Sequence, residues 1–218
     1  MKVRYKHIFF DLDGTITEPS EGITKAVSYA LSKFGIEVKD RKELKAFIGP
    51  PLFTSFRNIY GLSHEDADLA VSYYREYYLP KGIYECEIFK GIEELLKDLS
   101  ESAAKVYIAT SKPENMARIV LSHFELDKYF DAIYGATLDE SRSKKADVIA
   151  YALENSGHPD PHNCIMIGDT KYDVEGARAN GINTLGVTFD RSCPDELKRA
   201  GAIAIFSSPY ELRKHLFN

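Results

Sequence analysis

Short apolar runs alternate with helical patterns along most of this chain, and no other feature narrows its fold as much. The runs span residues 3–10, 105–109, 131–134, 164–167, 184–187 and 202–206. The clearest of them, such as IFF at 8–10 and CIMI at 164–167, lack an alternating polar face. A strand of that composition is buried on both sides, as central strands of parallel sheets are. Between the runs, residues 91–99 gather Ile92, Leu95, Leu96 and Leu99 on one helical face, and residues 145–155 gather Val148, Ile149, Ala152 and Leu153. Residues 113–124 open with a proline that reads as a first helical position, and residues 173–180 end at Gly181, a natural stop. Strand and helix in this order give a parallel sheet with right-handed crossovers.

One segment breaks the alternation. From residue 17 to residue 86 only helical patterns are legible. Ser20 stands where it would cap a helix carrying Ile23, Val27, Leu31 and Phe34, and Asp40 and Glu43 have capping-box spacing. Ser63 opens a last long helix that Pro80 stops. The chain therefore reads as a Rossmann-like, doubly wound α/β core at 1–16 and 87–218, carrying an inserted all-helical cap at 17–86.

Charge and cysteine content limit the partners. With 28 basic against 33 acidic residues and a formal charge of −5, the chain offers no basic field for nucleic acid or an anionic membrane. An anionic ligand must then be held by a local site. Cys86, Cys164 and Cys193 are odd in number, widely spaced and without CxxC spacing, which argues against a disulfide framework or a zinc site. The first apolar run ends at once in Asp11, so no leader or spanning segment is expected, and the expected location is cytoplasmic. Monomer and homodimer are both compatible with the sequence.

Ligands of an open α/β sheet gather outside the carboxyl ends of its strands, and four polar clusters fall there. HIFFDLDGTIT (residues 7–17) places Asp11 and Asp13 after the first run; Thr110, Ser111 and Lys112 follow the second, Ser111 and Lys112 as candidates to bind the phosphorylated substrate. Lys144 and Lys145 open the helix after the third, and Gly168, Asp169 and Asp173 follow the fourth. Asp11, Asp169 and Asp173 supply hard oxygen ligands of the kind Mg²⁺ takes. A lysine and the Thr110 hydroxyl beside that ion would hold a phosphate, and Gly14 lets the chain turn so that amides after Asp11 point at the same anion. A carboxylate is ionised at neutral pH and attacks phosphorus once its repulsion from the anion is offset, here by Mg²⁺ and Lys145. Asp13 is then free to carry the proton. In the cap, Gly49, Pro50 and the following Pro51-Leu52 precede a helix start whose amides would hold a substrate carboxylate, in a loop expected to face Asp11 on closure.

Some of these residues also have plainer readings. Thr110 alone would be a helix cap, and Lys112 and Lys144 would be solvated. Tyr73, Tyr74, Tyr77 and Tyr78 read as a buried cap face rather than an aromatic substrate box. His7 reads as structural, and Asp139-Glu140 as a solvated loop.

Over essentially its whole length the sequence resembles the haloacid dehalogenase-like phosphohydrolases. FFDLDGTIT is similar to their first motif, hhhhDxDGT; VYIATSKP resembles the second, SRSKKADVI the third and IMIGDTKYDVEGARANGI the fourth. The resemblance makes Asp11 nucleophile and metal ligand, and Asp13 general acid/base with its carbonyl on the metal. Thr110 and a lysine become phosphoryl-binding groups, and Asp169 and Asp173 the remaining metal-site carboxylates. The Arg-x-x-Lys pattern aligns with Arg142 and Lys145, with Lys144 as the alternative, and Ser111 stands where many relatives have asparagine. The implied activity is Mg²⁺-dependent hydrolysis of a small phosphorylated metabolite through an aspartyl-phosphate, most similar to phosphoglycolate phosphatases. A 5′-nucleotidase or pyrophosphatase, a β-phosphoglucomutase-like mutase and a non-catalytic phosphate-binding protein are the alternatives.

Overall fold

The computed structural model describes residues 2–139, 141–189 and 194–217. Glu140 and Cys193 lie outside the described residues. The first part of the chain forms β1 (His7–Phe10), β2 (Thr17–Glu18), α1 (Ser20–Ser32), α2 (Leu52–Tyr60), α3 (His64–Tyr78) and β3 (Glu87–Ile88). Then come α4 (Ile92–Ser100), β4 (Lys105–Pro113), α5 (Glu114–His123), β5 (Ala132–Ala136) and α6 (Lys145–Asn155). The last part holds β6 (Cys164–Gly168), α7 (Lys171–Ala179), β7 (Asn183–Val187), α8 (Pro194–Ala200), β8 (Ala204–Phe206) and α9 (Pro209–Leu216). Two compact units result, one of Met1–Thr17 with Ile88–Asn218, the other of Glu18–Glu87. Among the described residues no helix is long and apolar enough to cross a membrane.

The first unit is built on a six-stranded sheet in the order β5-β4-β1-β6-β7-β8, with every pairing parallel. β1 sits in the middle because Ile8, Phe9 and Phe10 have no polar face to offer water, and all three are wholly buried. Complete burial of each stabilises the fold by about 1.5–3 kcal/mol over leaving it exposed. Phe10 lies opposite Ile108 of β4 and Ile167 of β6, so three strand ends come level. The chain runs outward from β1 through β4 to β5 and then returns to β6 on the other side of β1. That reversal opens a crevice at the carboxyl ends of β1, β4 and β6.

Side-chain alternation decides what enters the crevice. Phe9 packs with Tyr107, Ala109 and Met166 against Val148, Ile149 and Ala152 of α6 and Ala177 of α7. Asp11, two residues further on, shares that facing. β1 thus delivers a carboxylate toward the side where α6 and α7 begin.

Several local expectations are corrected. The first strand starts at His7 rather than residue 3, since Arg4 N–H donates to Leu216 O instead of joining the ladder. Pro113 is not a first helical residue: its ψ of 132° is extended, it ends β4, and α5 begins at Glu114. β4 reaches that far because its pairing with β5 slips between Thr110 and Pro113, as at a β-bulge.

In the second unit Ser20 is the first residue of α1 and Pro19 occupies the cap, without a side-chain cap bond. Asp40 accepts from Lys42 N at 2.9 Å and starts a short 3₁₀ helix, so no reciprocal capping box with Glu43 forms. Ser63 does cap α3, accepting from Asp66 N at 3.0 Å. Tyr74 and Tyr78 are buried and stacked at 5.0 Å, while Tyr77 leans on Tyr29 and donates to Glu85. The tyrosine run is packing between α1 and α3.

The slipped β4–β5 pairing depends on Gly135. A Cβ there would lie 2.5 Å from Glu114 Cα and 2.8 Å from Lys112 O, both backbone atoms. Gly135→Ala should therefore cost about 1–3 kcal/mol, as overpacking does. A lowered midpoint of chemical denaturation checks this; an unchanged midpoint contradicts it.

Candidate functional site

Asp11 follows β1 as a continuation of the ladder, its N–H donating to Ile167 O at 2.9 Å. Lys145, the first residue of α6, reaches back to it. Its Nζ lies 2.8 Å from Asp11 Oδ1 and 2.9 Å from Asp173 Oδ1, and donates to Ala109 O at 3.2 Å. Lys145 is 6% exposed, whereas its neighbour Lys144 is exposed at the helix cap. Burial alone would lower the Lys145 pKa, but the charges of Asp11 and Asp173 outweigh it and raise it above its ordinary value. The two carboxylates thus favour the charged ammonium.

Asp173 is wholly buried on the first turn of α7. Its Oδ2 accepts from Thr170 N at 3.0 Å and from Thr170 Oγ1 at 2.7 Å, which leaves Oδ1 to face Lys145. Burial pushes its carboxyl above the usual range; Lys145 opposes the push, and the nearby Asp11 charge adds to it. Asp169 follows β6 and accepts from the Thr15 hydroxyl at 3.3 Å.

Asp11, Asp169 and Asp173 each bring one carboxylate oxygen within 4.8 Å of the others. Fully ionised, three carboxylates against one ammonium leave two negative charges in a buried pocket. A divalent cation supplies that deficit, and oxygen donors suit a hard one. Two glycines leave room for the carboxylates. A Cβ on Gly14, whose φ is +88°, would stand 2.3 Å from Asp169 Oδ2, and one on Gly168 would stand 2.3 Å from Asp173 Cγ. The donor set fits the metal.

Gly14 serves the site through this clearance and not through its amide. Its N–H donates to Thr17 O at 2.7 Å, and the N–H groups of Thr15 and Ile16 donate to Leu12 O. Of the N–H groups that follow Asp11, the tight turn engages those of residues 14–17. Thr110 is a buried residue of β4 rather than a helix cap, and its hydroxyl accepts from Lys112 N at 3.2 Å. Lys112 is 8% exposed, not solvated, and its Nζ donates to Asp13 Oδ2 at 2.6 Å. Ser111 stands between them, half-buried. Gly49, with φ +104°, and Pro50 belong to the other unit, just before α2.

Asp11, Asp13, Gly14, Thr110, Ser111, Lys112, Lys145, Asp169 and Asp173 thus all lie in the first unit, on or after the central strands and on the helices that follow them. Sequence reasoning missed Thr15, Thr170 and the Ala109 carbonyl as supports. Both threonines lie inside the motifs already singled out, so their hydroxyls beside the acidic residues were the available signal.

Residues 8–187 match the family model described as haloacid dehalogenase-like hydrolase. A 5′-nucleotidase of Pseudomonas aeruginosa is 44% identical over 196 residues, covering 90% of this chain and 88% of that protein. The tyrosine-protein kinase PtkA of Mycobacterium bovis is 39% identical over 198 residues, covering 91% of this chain and 67% of the kinase. A crystal structure described as a predicted phosphatase from Clostridium acetobutylicum superposes with a TM-score of 0.93 at 46% identity, covering 96% of this chain and 97% of that one. Fold, site and relatives define a hydrolase of the phosphatase class. The chain belongs to the haloacid dehalogenase-like hydrolase family.

The Gly14 clearance makes the metal-site fit testable by binding alone. Gly14→Ala must displace the Asp169 carboxylate, and disturbing the support of a ligand typically costs 10–100-fold in metal affinity. Calorimetric titration with Mg²⁺ or Mn²⁺ should show at least a roughly 10-fold weaker site than in the wild type. Equal affinities would contradict the placement.

Proposed function

We propose that this phosphatase hydrolyses a small phosphomonoester with Mg²⁺, by way of a phosphoryl group carried on Asp11. The observation that carries the reading is the buried Asp11 carboxylate, 2.8 Å from Lys145 and clustered with Asp169 and Asp173. In this reading a carboxylate oxygen of Asp11 bonds to phosphorus as the bond to the leaving oxygen breaks. Asp13 gives that oxygen its proton. A water then bonds to phosphorus and yields a proton to Asp13, and the Asp11–phosphorus bond breaks to release inorganic phosphate. Lys145 and Thr110 hold the phosphoryl oxygens, and the fixed ammonium opposes the charge that builds there. Asp11, the Asp13 carbonyl and Asp169 would hold Mg²⁺, with Asp173 completing the set. When bound, the ion supplies the positive charge that lets two anions meet. Both oxygens of Asp173 already face partners, which supports a role in fixing Lys145 and the start of α7.

The helical unit would choose the leaving group, with Gly49 and Pro50 as its proposed contacts. The segment FIGPPL, residues 47–52, resembles that of phosphoglycolate phosphatases, which supports a phosphoglycolate-type substrate. The likeness to a 5′-nucleotidase favours a second reading, a nucleoside 5′-monophosphate. A panel containing both, with Mg²⁺ present, separates them by kcat/KM. Asp11→Asn should lower phosphate release by about 10³-fold or more on every substrate turned over. Chelation of the metal should stop release, and added Mg²⁺ should restore it. Wild-type release no greater than that of Asp11→Asn on every substrate would end the phosphatase reading.

A further inference from the structure

Lys112 has a place in the site that its solvated reading did not anticipate. The strand that carries it changes register between Thr110 and Pro113, and Gly135 on the neighbouring strand leaves room for that change. Thr110 and Lys112 are two residues apart and both are buried. The Lys112 side chain is 5% exposed and that of Asp13 15%, and their charged atoms meet at 2.6 Å. Shielded this far from water, such a pair is held in one geometry far better than an exposed ion pair. The ammonium takes only one oxygen of Asp13. The other, Oδ1, is buried and has no hydrogen-bond partner among the described residues.

We propose that Lys112 is a positioning residue for Asp13. By fixing Oδ2 it sets the rotation of the carboxyl group and leaves Oδ1 as the oxygen that exchanges the proton. The inference rests on the phosphatase reading, and it moves Lys112 from phosphate binding to proton handling. The proton goes from Asp13 Oδ1 to the leaving oxygen as the phosphorus–oxygen bond breaks and the bond to Asp11 forms. It is replaced from water when the Asp11–phosphorus bond is hydrolysed, so the cycle closes without another reactant. A misplacement of about 1 Å at a reacting group can cost 10²-fold. An alkyl phosphate, whose leaving oxygen must be protonated, should register the loss. An aryl phosphate with a weakly basic leaving group, such as p-nitrophenyl phosphate, should not.

The test follows leaving-group release in the first turnover, before phosphoenzyme hydrolysis limits the rate. Wild type, Lys112→Met and Lys112→Arg are compared, each also in an Asp13→Asn background. The expected result for Lys112→Met is a loss of about 10-fold or more on the alkyl phosphate and less than about 3-fold on p-nitrophenyl phosphate, with KM little changed on either. Lys112→Arg, which keeps a cation of different shape, should recover part of the loss and also guards against misfolding of the Met variant. In the Asp13→Asn background Lys112→Met should cost nothing further. Equal losses on both substrates, a rise in KM alone, or a further loss without Asp13 would overturn the inference while leaving the phosphatase reading intact. The alkyl phosphate is one that the wild type turns over in the substrate panel; if the wild type turns over none of the panel, both readings fall.

Discussion

One ammonium group, buried between two carboxylates, holds the site together. Lys145 ties the end of β1 to the first turns of α6 and α7 through Asp11 and Asp173. A lysine so far from water is tolerable only because it is paired; breaking such a pair commonly costs 3–5 kcal/mol. The surrounding packing reflects this. Gly176 of α7 approaches so closely that a Cβ would come 3.0 Å from both Ala146 N and Lys145 Cγ. Helix contact and ion pairing are one arrangement.

The excess of carboxylates over ammonium is what suits that arrangement to a cation. A core that served stability alone would not bury Asp11, Asp169 and Asp173 within 4.8 Å of each other. Their mutual repulsion is the tension that a divalent ion relieves, and Asp173 records it in a carboxyl pushed above the usual range, by burial first and by Asp11 besides. The Asp13 carboxylate pairs with another cation, Lys112. Two aspartates one residue apart thus meet different cations, Lys145 and Lys112.

Much of this was legible in the sequence, because the signals were local or repeated. Apolar runs without a polar face identify central strands wherever they occur, and ligand-bearing residues follow such strands directly. Asp11, Thr110 and Asp169 were readable on that basis. The failures were of another kind. The partner of Lys112 is 99 residues away and depends on a register slip that no local propensity encodes. Pro113 looked like a helix opening because proline suits one, but the strand pairing with β5 kept it extended. The Gly14 turn is legible, while the fate of its amide is not, since that depends on how tightly Thr17 folds back. The helical unit shows the same limit: Ser20 stands one position past the cap, which Pro19 takes, and Asp40 does cap the helix that follows but without the reciprocal bond from Glu43.

The account turns on Asp11 as the group that carries phosphorus. The most direct measurement is rapid acid quenching of enzyme, Mg²⁺ and a turned-over phosphomonoester in the first turnover, followed by mass spectrometry of the digested protein. The account predicts one phosphoryl group on the peptide containing Asp11, formed no later than the leaving group is released and absent from Asp11→Asn. Leaving-group release with no phosphoryl group on that peptide at any quench time, or with one on another residue, would contradict it.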